Sequence, residues 1–442
     1  MKSTCMSHRN LSKHLCFALI LIGSLLSFML TPAFAQKDRT ITGNITDALN
    51  NQPMPFVTVA LKESLIGTIS NENGGFDLLV PDSITNDVLM VTIIGYQPAE
   101  FPLTQITSPL MVKLQPVMME MKEVIVKPQP PTYYIIQAMR SLKNNYPSQP
   151  FETQAYYREN INENDGFLRS AEGVFKTYYP GFQDSVKNQH QLILFRKAET
   201  LAELAFMKKE REKDAAKEKK KEAKAVKKGK EVKKKESDGD SLKIGEMFGG
   251  PETLLRMADL FRNADNCIDT TMLNEYNYTF EKSSSYNSRE LMVINFKSKG
   301  KVERARESGK IYLDLASNAI VKIESQGTWI IPTLLRPVLF VMGIGVENPK
   351  FRSSLEFQKV KDHWYPRNMQ FNMDLNVEKK RMFAANDNSN FKIFGILTVT
   401  RIDTASPQPV EKAKRYSSKK KPEEQIFNDA GLSWEQINVI KR

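Results

Sequence analysis

Short stretches in which apolar and polar residues alternate run through most of this chain, and they end at Gly, Asn, Asp or Pro. In Thr40–Thr46, Gly75–Val80 and Gly309–Leu315, apolar residues recur at every second position. This is the period of a strand that buries one face, and the intervening Gly and Asn residues suit tight turns. Hydrophobic residues make up 41% of the chain, which is an ordinary share for a globular protein. The pattern therefore predicts a mainly β protein.

The first 35 residues have the three parts of a secretory signal peptide. Lys2, Arg9 and Lys13 precede an apolar run from Leu15 to Leu30, and Ala33-Phe34-Ala35 forms a small-residue cleavage site. An uncleaved anchor is the alternative, although the run is short for a span of about 20 residues. We expect cleavage after Ala35, export to the periplasm or the outer membrane, and no transmembrane span in the mature chain.

After cleavage, Cys267 is the sole thiol, since Cys5 and Cys16 lie in the leader. The mature chain therefore cannot form an intramolecular disulfide, which fits a periplasmic protein better than a disulfide-stapled secreted one. The net charge of +12 is also local: residues 208–236 carry +8 and the leader carries +3. The remaining sequence is nearly neutral, so composition gives no sign of a basic nucleic-acid-binding face.

A charged insertion is predicted at residues 207–240, where bulky apolar residues are almost absent. Such a segment cannot bury enough surface to offset its conformational entropy. One interpretation is a solvated loop, and the other is a patch attracted to anionic lipid headgroups. Nucleic acid is not expected for an exported chain that lacks interleaved aromatic residues here. The candidate residues for contact with an anionic surface are Lys219, Lys220, Lys221, Lys233, Lys234 and Lys235.

Residues 37–127 form the first predicted domain, a β-sandwich of seven short strands. Four motifs occur in order: Thr42–Asp47, Gln52–Val59, Gly67–Phe76 and Ile94–Tyr96. On these motifs the segment resembles the carboxypeptidase regulatory-like domain, a transthyretin-like Greek-key sandwich common in Bacteroidetes envelope proteins. The resemblance implies a fold and no catalytic residue.

Residues 128–150 are predicted to be a proline-containing linker and a short helix, because Ile135, Ala138, Met139 and Leu142 share one helical face. Residues 151–403 contain longer alternating stretches, including a predicted hairpin with Ser317-Asn318 at its tip. This second, α+β domain resembles the half-barrel of outer-membrane lipoprotein carriers, a long-stranded antiparallel sheet with a few helices. Residues 404–442 are predicted to be a polar tail whose last segment docks back on the body.

Trp329–Val346 is the most apolar stretch outside the leader, and Arg336 and two prolines interrupt it. It is interpreted as a loop and helix packed over the sheet as core, or as the lining of a groove for an acyl chain or an apolar peptide. In the second interpretation Trp329, Leu335 and Phe340 are the candidate groove residues.

Catalytic and metal-binding motifs are not found in the sequence. His190 and His363 stand in no metal-ligand spacing, and there is no nucleophile elbow, P-loop or dinucleotide motif. We therefore expect a non-catalytic envelope binding or assembly protein without cofactors, which holds an apolar or peptide ligand and contacts outer-membrane proteins or lipid. The alternatives are a structural partner of a TonB-dependent receptor, and a hydrolase with an unrecognised site.

Overall fold

The computed structural model describes residues 38–117, 129–182, 186–199, 250–262, 266–300, 305–331, 333, 335–341, 343–380 and 386–441. The predicted leader, residues 207–240 and the six lysines proposed for anionic contact lie outside these ranges. The N-terminal part consists of β1 (Arg39–Asp47), β2 (Thr58–Leu61), β3 (Gly67–Ile69), β4 (Gly75–Val80), β5 (Val88–Thr92), β6 (Ala99–Pro102) and β7 (Leu110–Leu114).

These seven strands form two facing sheets, in the orders β4-β1-β7 and β3-β2-β5-β6. Alternate residues are buried in β1 and β4, and Ile45, Phe76 and Leu89 are fully enclosed in the core between the sheets. The turn at residues 71–74 carries the chain from one sheet to the other, and the side chain of Asn71 accepts hydrogen bonds from the backbone N–H groups of Asn73 and Gly75. The segment is thus the β-sandwich that its alternating pattern predicts.

Within the described residues, the larger part adds four short helices and eleven strands. The helices are α1 (Pro131–Arg140), α2 (Leu142–Asn145), α3 (Pro251–Met257) and α4 (Leu335–Val341). The strands are β8 (Phe151–Glu163), β9 (Gly166–Tyr179), β10 (Gln189–Glu199), β11 (Tyr276–Tyr286), β12 (Arg289–Ser298), β13 (Ala305–Asp314), β14 (Ile320–Trp329), β15 (Ile344–Val346), β16 (Lys350–Val360), β17 (His363–Lys379) and β18 (Asp387–Asp403).

All eleven strands join one antiparallel sheet in the order β10-β9-β8-β18-β17-β16-β14-β13-β12-β11, with β15 paired to β17. Across the described residues the sheet stays open, with β10 and β11 at its edges. The predicted hairpin is present as β13 and β14, and Asn318 at its tip has a φ of 59°. The predicted fold class, a sandwich followed by a long-stranded sheet that is not closed, is confirmed.

One face of the large sheet is apolar and covered. Odd-numbered residues of β17 and β18, among them Met369, Phe371 and Phe391, belong to a core that also includes Leu254 and Leu255 of α3. Tyr146 lies fully buried in this layer, and its hydroxyl donates to the carbonyl of Ile320 at 2.7 Å. The opposite face carries even-numbered, mostly polar side chains.

Helix α1 begins at Pro131 and ends at Arg140, close to the bounds that the sequence pattern indicates. Its residues Ile135 and Ala138 are buried in a second cluster with residues of β12 and β13. Proline at the first helical position costs nothing because that N–H has no intrahelical partner. Strands β10 and β15 and helix α3 were not predicted from the sequence. Of the helices in the described ranges, none combines the length and hydropathy needed to cross a bilayer.

The C-terminal tail packs on both the sandwich and the large sheet. Asn438 forms two hydrogen bonds with the backbone of Leu79: its carbonyl accepts the N–H at 2.6 Å and its amide donates to the carbonyl at 3.2 Å. On the large sheet, Arg158 donates to the carbonyl of Ile440 at 2.6 Å. Ile437 and Ile440 are buried. The tail thus bridges the two sheet systems.

Candidate functional site

A groove of about 830 Å³ lies on the polar face of the large sheet. Its floor crosses β8, β18, β17, β16, β14 and β13, and Glu72 of the 71–74 turn also lines it. Its volume is in the range typical of ligand sites.

The floor consists of two neighbouring rows of side chains, which follow from the strand register. Since side chains two apart on a strand share a face, adjacent positions on paired strands form rows across the sheet. The first row is Asn162, Lys392, Asp374, Lys350, Thr328 and Arg306. The second row is Asn160, Phe394, Asn372, Arg352, Gln326 and Ser308. With strands about 4.8 Å apart, six strands give a floor roughly 24 Å long.

Positive charge exceeds negative charge in the groove. Arg306, Lys350 and Arg352 are exposed, and none of them has an ion pair or a side-chain hydrogen bond within the described residues. Lys392 instead pairs with Asp165 at 2.5 Å. Lys297 also lines the groove. Arg306 and Arg352 lie on neighbouring rows and suit a carboxylate or phosphate, because each guanidinium group can donate two parallel hydrogen bonds.

Three carboxylates line the same groove: Glu72, Glu307 and Asp374. Burial raises the pKa of Glu307, whose carboxylate accepts a hydrogen bond from the Tyr276 hydroxyl at 2.6 Å. Asp374 lies between Lys350 and Lys392 in the first row. The groove therefore retains an excess of cations after its own acids are counted.

The sandwich closes one end of the groove. Phe394 of the second row stacks on Phe56 of the sandwich, with ring centroids 6.0 Å apart. A smaller pocket of about 150 Å³ adjoins this end and shares Glu72, Asn160 and Phe394 with the main groove. The aromatic pair gives the floor an apolar end opposite its basic end.

The candidate groove residues named from the sequence are not part of this feature. Trp329 packs on the apolar face, with its ring 5.7 Å from that of Phe351 and 5.6 Å from that of Phe371. Phe340 lies on α4, and 76% of it is exposed, so it does not pack into the core. Leu335 belongs to the same helix, and its side chain is outside the described part.

His190 and Cys267 occupy structural positions. Burial lowers the pKa of His190 to about 4, and its Nδ1 lies 3.0 Å from the Thr177 hydroxyl. Cys267 is a buried free thiol, and burial raises its pKa well above the usual range, so the reactive thiolate is disfavoured. Across the residues that the structure describes, no cluster of three or more His, Cys, Asp or Glu residues could hold a metal ion.

Sequence reasoning missed the groove residues because it assigned no role to the polar face. Lys350 and Arg352 are polar residues two positions apart, and so are Asn372 and Asp374; this spacing marks a polar face on each strand. Strands that are far apart in the sequence, such as β8 and β18, lie side by side because they pair in the folded protein. A cross-strand row was therefore not visible without the register.

The comparisons with known proteins identify the first domain. Residues 41–126 match the sequence model of the CarboxypepD_reg-like domain, which confirms the resemblance inferred from the four motifs. No curated protein sequence matches the chain significantly. The family match covers the sandwich and leaves the large sheet unassigned.

Three solved structures are similar to parts of this chain. A DUF1329 family protein from Desulfovibrio piger is 11% identical, with 63% of this chain and 92% of that chain covered and a TM-score of 0.21. A LolA superfamily protein from Nitrosomonas europaea is 8% identical, with 62% of this chain and 93% of that chain covered and a TM-score of 0.19. A putative membrane-associated protein of unknown function from Bacteroides fragilis is 8% identical, with 83% of this chain and 99% of that chain covered and a TM-score of 0.15.

Proposed function

We propose that this chain is a non-catalytic binding protein of the bacterial envelope, exported to the periplasm or the outer membrane, that holds an acidic ligand in the groove of its large sheet. The observation that carries the proposal is the pair Arg306 and Arg352, two exposed guanidinium groups with no partner among the described residues, on the floor of an 830 Å³ groove. The signal-peptide pattern of residues 1–35 supports export. The match of the sandwich to a regulatory-like domain family supports a non-catalytic role.

The groove favours an extended, hydrogen-bonding ligand, and we take an acidic peptide segment as its class. Four amide side chains lie in its two rows: Asn160, Asn162, Gln326 and Asn372. Amides both donate and accept, as a peptide backbone requires. The apolar end at Phe394 accommodates one hydrophobic side chain, and the basic end at Arg306 faces carboxylates.

Calorimetric titration with a hexaglutamate peptide tests the proposal, with an uncharged hexaserine peptide for comparison. The double variant Arg306→Gln/Arg352→Gln is expected to weaken hexaglutamate binding by about tenfold or more, because each guanidinium donates charge-assisted hydrogen bonds. The matched control Arg401→Gln/Lys282→Gln removes the same charge from exposed positions outside the groove lining and should change affinity little. An equal loss of hexaglutamate affinity in both double variants would show that overall charge, and not the two groove arginines, determines binding.

The rival hydrolase hypothesis has one residue in the groove to support it, Glu307 with its raised pKa. A partly buried carboxylic acid of this kind can serve as a general acid. Mass spectra of acidic peptides and oligosaccharides after incubation with the protein separate the two functions. Cleavage that disappears in Glu307→Gln would establish the enzyme and end the binding-protein proposal.

The envelope assignment and the receptor-partner alternative are tested in cells. Fractionation of native envelopes locates the protein, and cross-linking followed by mass spectrometry identifies its neighbours. Recovery of a TonB-dependent receptor with the wild type and with the Arg306→Gln/Arg352→Gln variant alike would favour a structural partner. Recovery that depends on the two arginines would favour a ligand held in the groove.

A further inference from the structure

Helix α4 (Leu335–Val341) presents two adjacent large apolar side chains to solvent. Phe340 is 76% exposed and Val341 is 84% exposed, the two highest values among the exposed large hydrophobic residues of the described structure. We refer to this pair as the α4 tip. Isolated exposed apolar residues are common on protein surfaces, whereas adjacent ones at a protruding element indicate an interaction site.

The tip is held in place by backbone hydrogen bonds at the end of the large sheet. The N–H of Gly343 donates to the carbonyl of Phe340 at 2.9 Å, and the N–H of Lys380 donates to the carbonyl of Gly343 at 2.8 Å. Immediately after this turn, β15 pairs with the end of β17 through Ile344 and Lys379. The two apolar side chains are therefore fixed at one rim of the sheet.

Two cationic side chains lie close to the tip. Arg336 precedes Phe340 by one turn of α4, and Lys380 donates its backbone N–H to the carbonyl of Gly343. Both side chains are exposed, and neither has an ion pair within the described ranges. The acids of this rim are engaged by amides: Glu347 accepts from Asn376 at 2.7 Å, and Glu378 accepts from Asn386 at 2.7 Å. Arg336 and Lys380 are thus available at this rim to an anionic partner.

We propose that the α4 tip inserts into the surface of a bilayer that contains anionic lipids, with Phe340 and Val341 below the headgroups and Arg336 and Lys380 at headgroup level. An apolar tip with adjoining cations is the arrangement of peripheral membrane-binding elements, in which apolar burial and electrostatic attraction act together. The proposal is independent of the groove and its ligand.

Co-sedimentation of the mature full-length chain with phosphatidylcholine vesicles, with and without phosphatidylglycerol, tests the insertion. Phe340→Asp/Val341→Asp is expected to lower the vesicle partition coefficient by tenfold or more. The matched control is Leu49→Asp/Met111→Asp, which changes two apolar residues of the sandwich that are 63% and 66% exposed. The control should sediment with vesicles like the wild type. Equal binding of wild type and α4 variant, or equal loss in the control, would overturn the proposal.

The charge contribution is measured separately. Arg336→Gln/Lys380→Gln is expected to reduce binding to phosphatidylglycerol vesicles severalfold, to leave binding to pure phosphatidylcholine unchanged, and to weaken the salt dependence. The groove variant Arg306→Gln/Arg352→Gln should keep its vesicle binding, which separates this inference from the proposed function. Wild-type binding that needs neither the tip nor anionic lipid would contradict the proposal.

Discussion

Arg196 of β10 stacks on Trp434 of the C-terminal tail, with its guanidinium carbon 4.1 Å from the centre of the indole ring. The same arginine pairs with Glu172 at 2.5 Å, and Glu172 also accepts from Arg158, which holds the carbonyl of Ile440. The stack therefore belongs to a network that fixes the tail on the strands at one edge of the large sheet.

Replacement of Trp434 should release the tail. Trp434→Ala is expected to lower the free energy of unfolding by about 1–3 kcal/mol, because it removes a cation–π contact and apolar burial. Urea denaturation measures this change, and limited proteolysis reports cleavage within residues 404–441. Trp434→Phe keeps an aromatic face over Arg196 and should lose less than half as much. Identical stability of the alanine variant and the wild type would show that the tail is held elsewhere.

Arg367 joins the sandwich to the large sheet, and its replacement should be costly. Its guanidinium is fully enclosed and donates to the carbonyls of Val399, at 2.6 Å, and Thr68, at 3.0 Å. Arg367→Met leaves both carbonyls without this donor, so a loss of about 2–4 kcal/mol in the free energy of unfolding is expected. Calorimetry should then resolve separate transitions for the sandwich and the sheet. A single transition at the wild-type temperature would refute this coupling.

Gly67 permits this junction because a side chain would collide with it. A Cβ at Gly67 would overlap the guanidinium of Arg367, the Cβ of Ala60 and the carbonyl of Val59. Gly67→Ala should therefore destabilise the protein by about 1–3 kcal/mol, the usual cost of overpacking. In Gly75→Ala the nearest atom is the flexible end of Lys441, so less than about 0.5 kcal/mol is expected. Thermal denaturation of the two variants in parallel gives the comparison.

His190 should make the protein less stable in mild acid. Its pKa is lowered from 6.5 to about 4 by burial, so the unfolded chain binds a proton between these values that the folded chain does not. Stability therefore falls as the pH decreases from 6.5 to 4, by at most about 1.4 kcal/mol per pH unit. Urea midpoints measured across this range should fall more steeply for the wild type than for His190→Gln. Parallel curves would show that His190 is not the titrating group.

Asp374 should oppose the binding of acidic ligands to the groove. It is exposed and sits in the first row between Lys350 and Lys392. Asp374→Asn keeps the shape and removes a negative charge, so hexaglutamate affinity should rise by severalfold, and the effect should shrink at high salt. Glu281→Gln, on β11 and paired with Lys310, is the control for net charge. An unchanged affinity would place the peptide elsewhere.

The sequence by itself determined most of the strands, the sandwich and the class of fold. Alternation with a period of two is a local property, so strands such as Gly75–Val80 and the hairpin at Asn318 could be read directly. The helical face of Ile135 and Ala138 is local in the same sense. Ile344–Val346 is three residues long, too short for a periodic signal, and its pairing with β17 forms it.

Only the tertiary structure decided where the site lies. Arg306 and Arg352 are 46 positions apart, and they share a groove because β13, β14 and β16 pair in one register. Tertiary structure also decided the different surroundings of Trp329 and Phe340, which lie eleven positions apart in one apolar stretch. Trp329 packs among aromatic rings, whereas Phe340 is exposed. The sequence gives the chemistry of each side chain. Which side chains are buried and which lie close together depends on long-range strand pairing, which the local pattern does not specify.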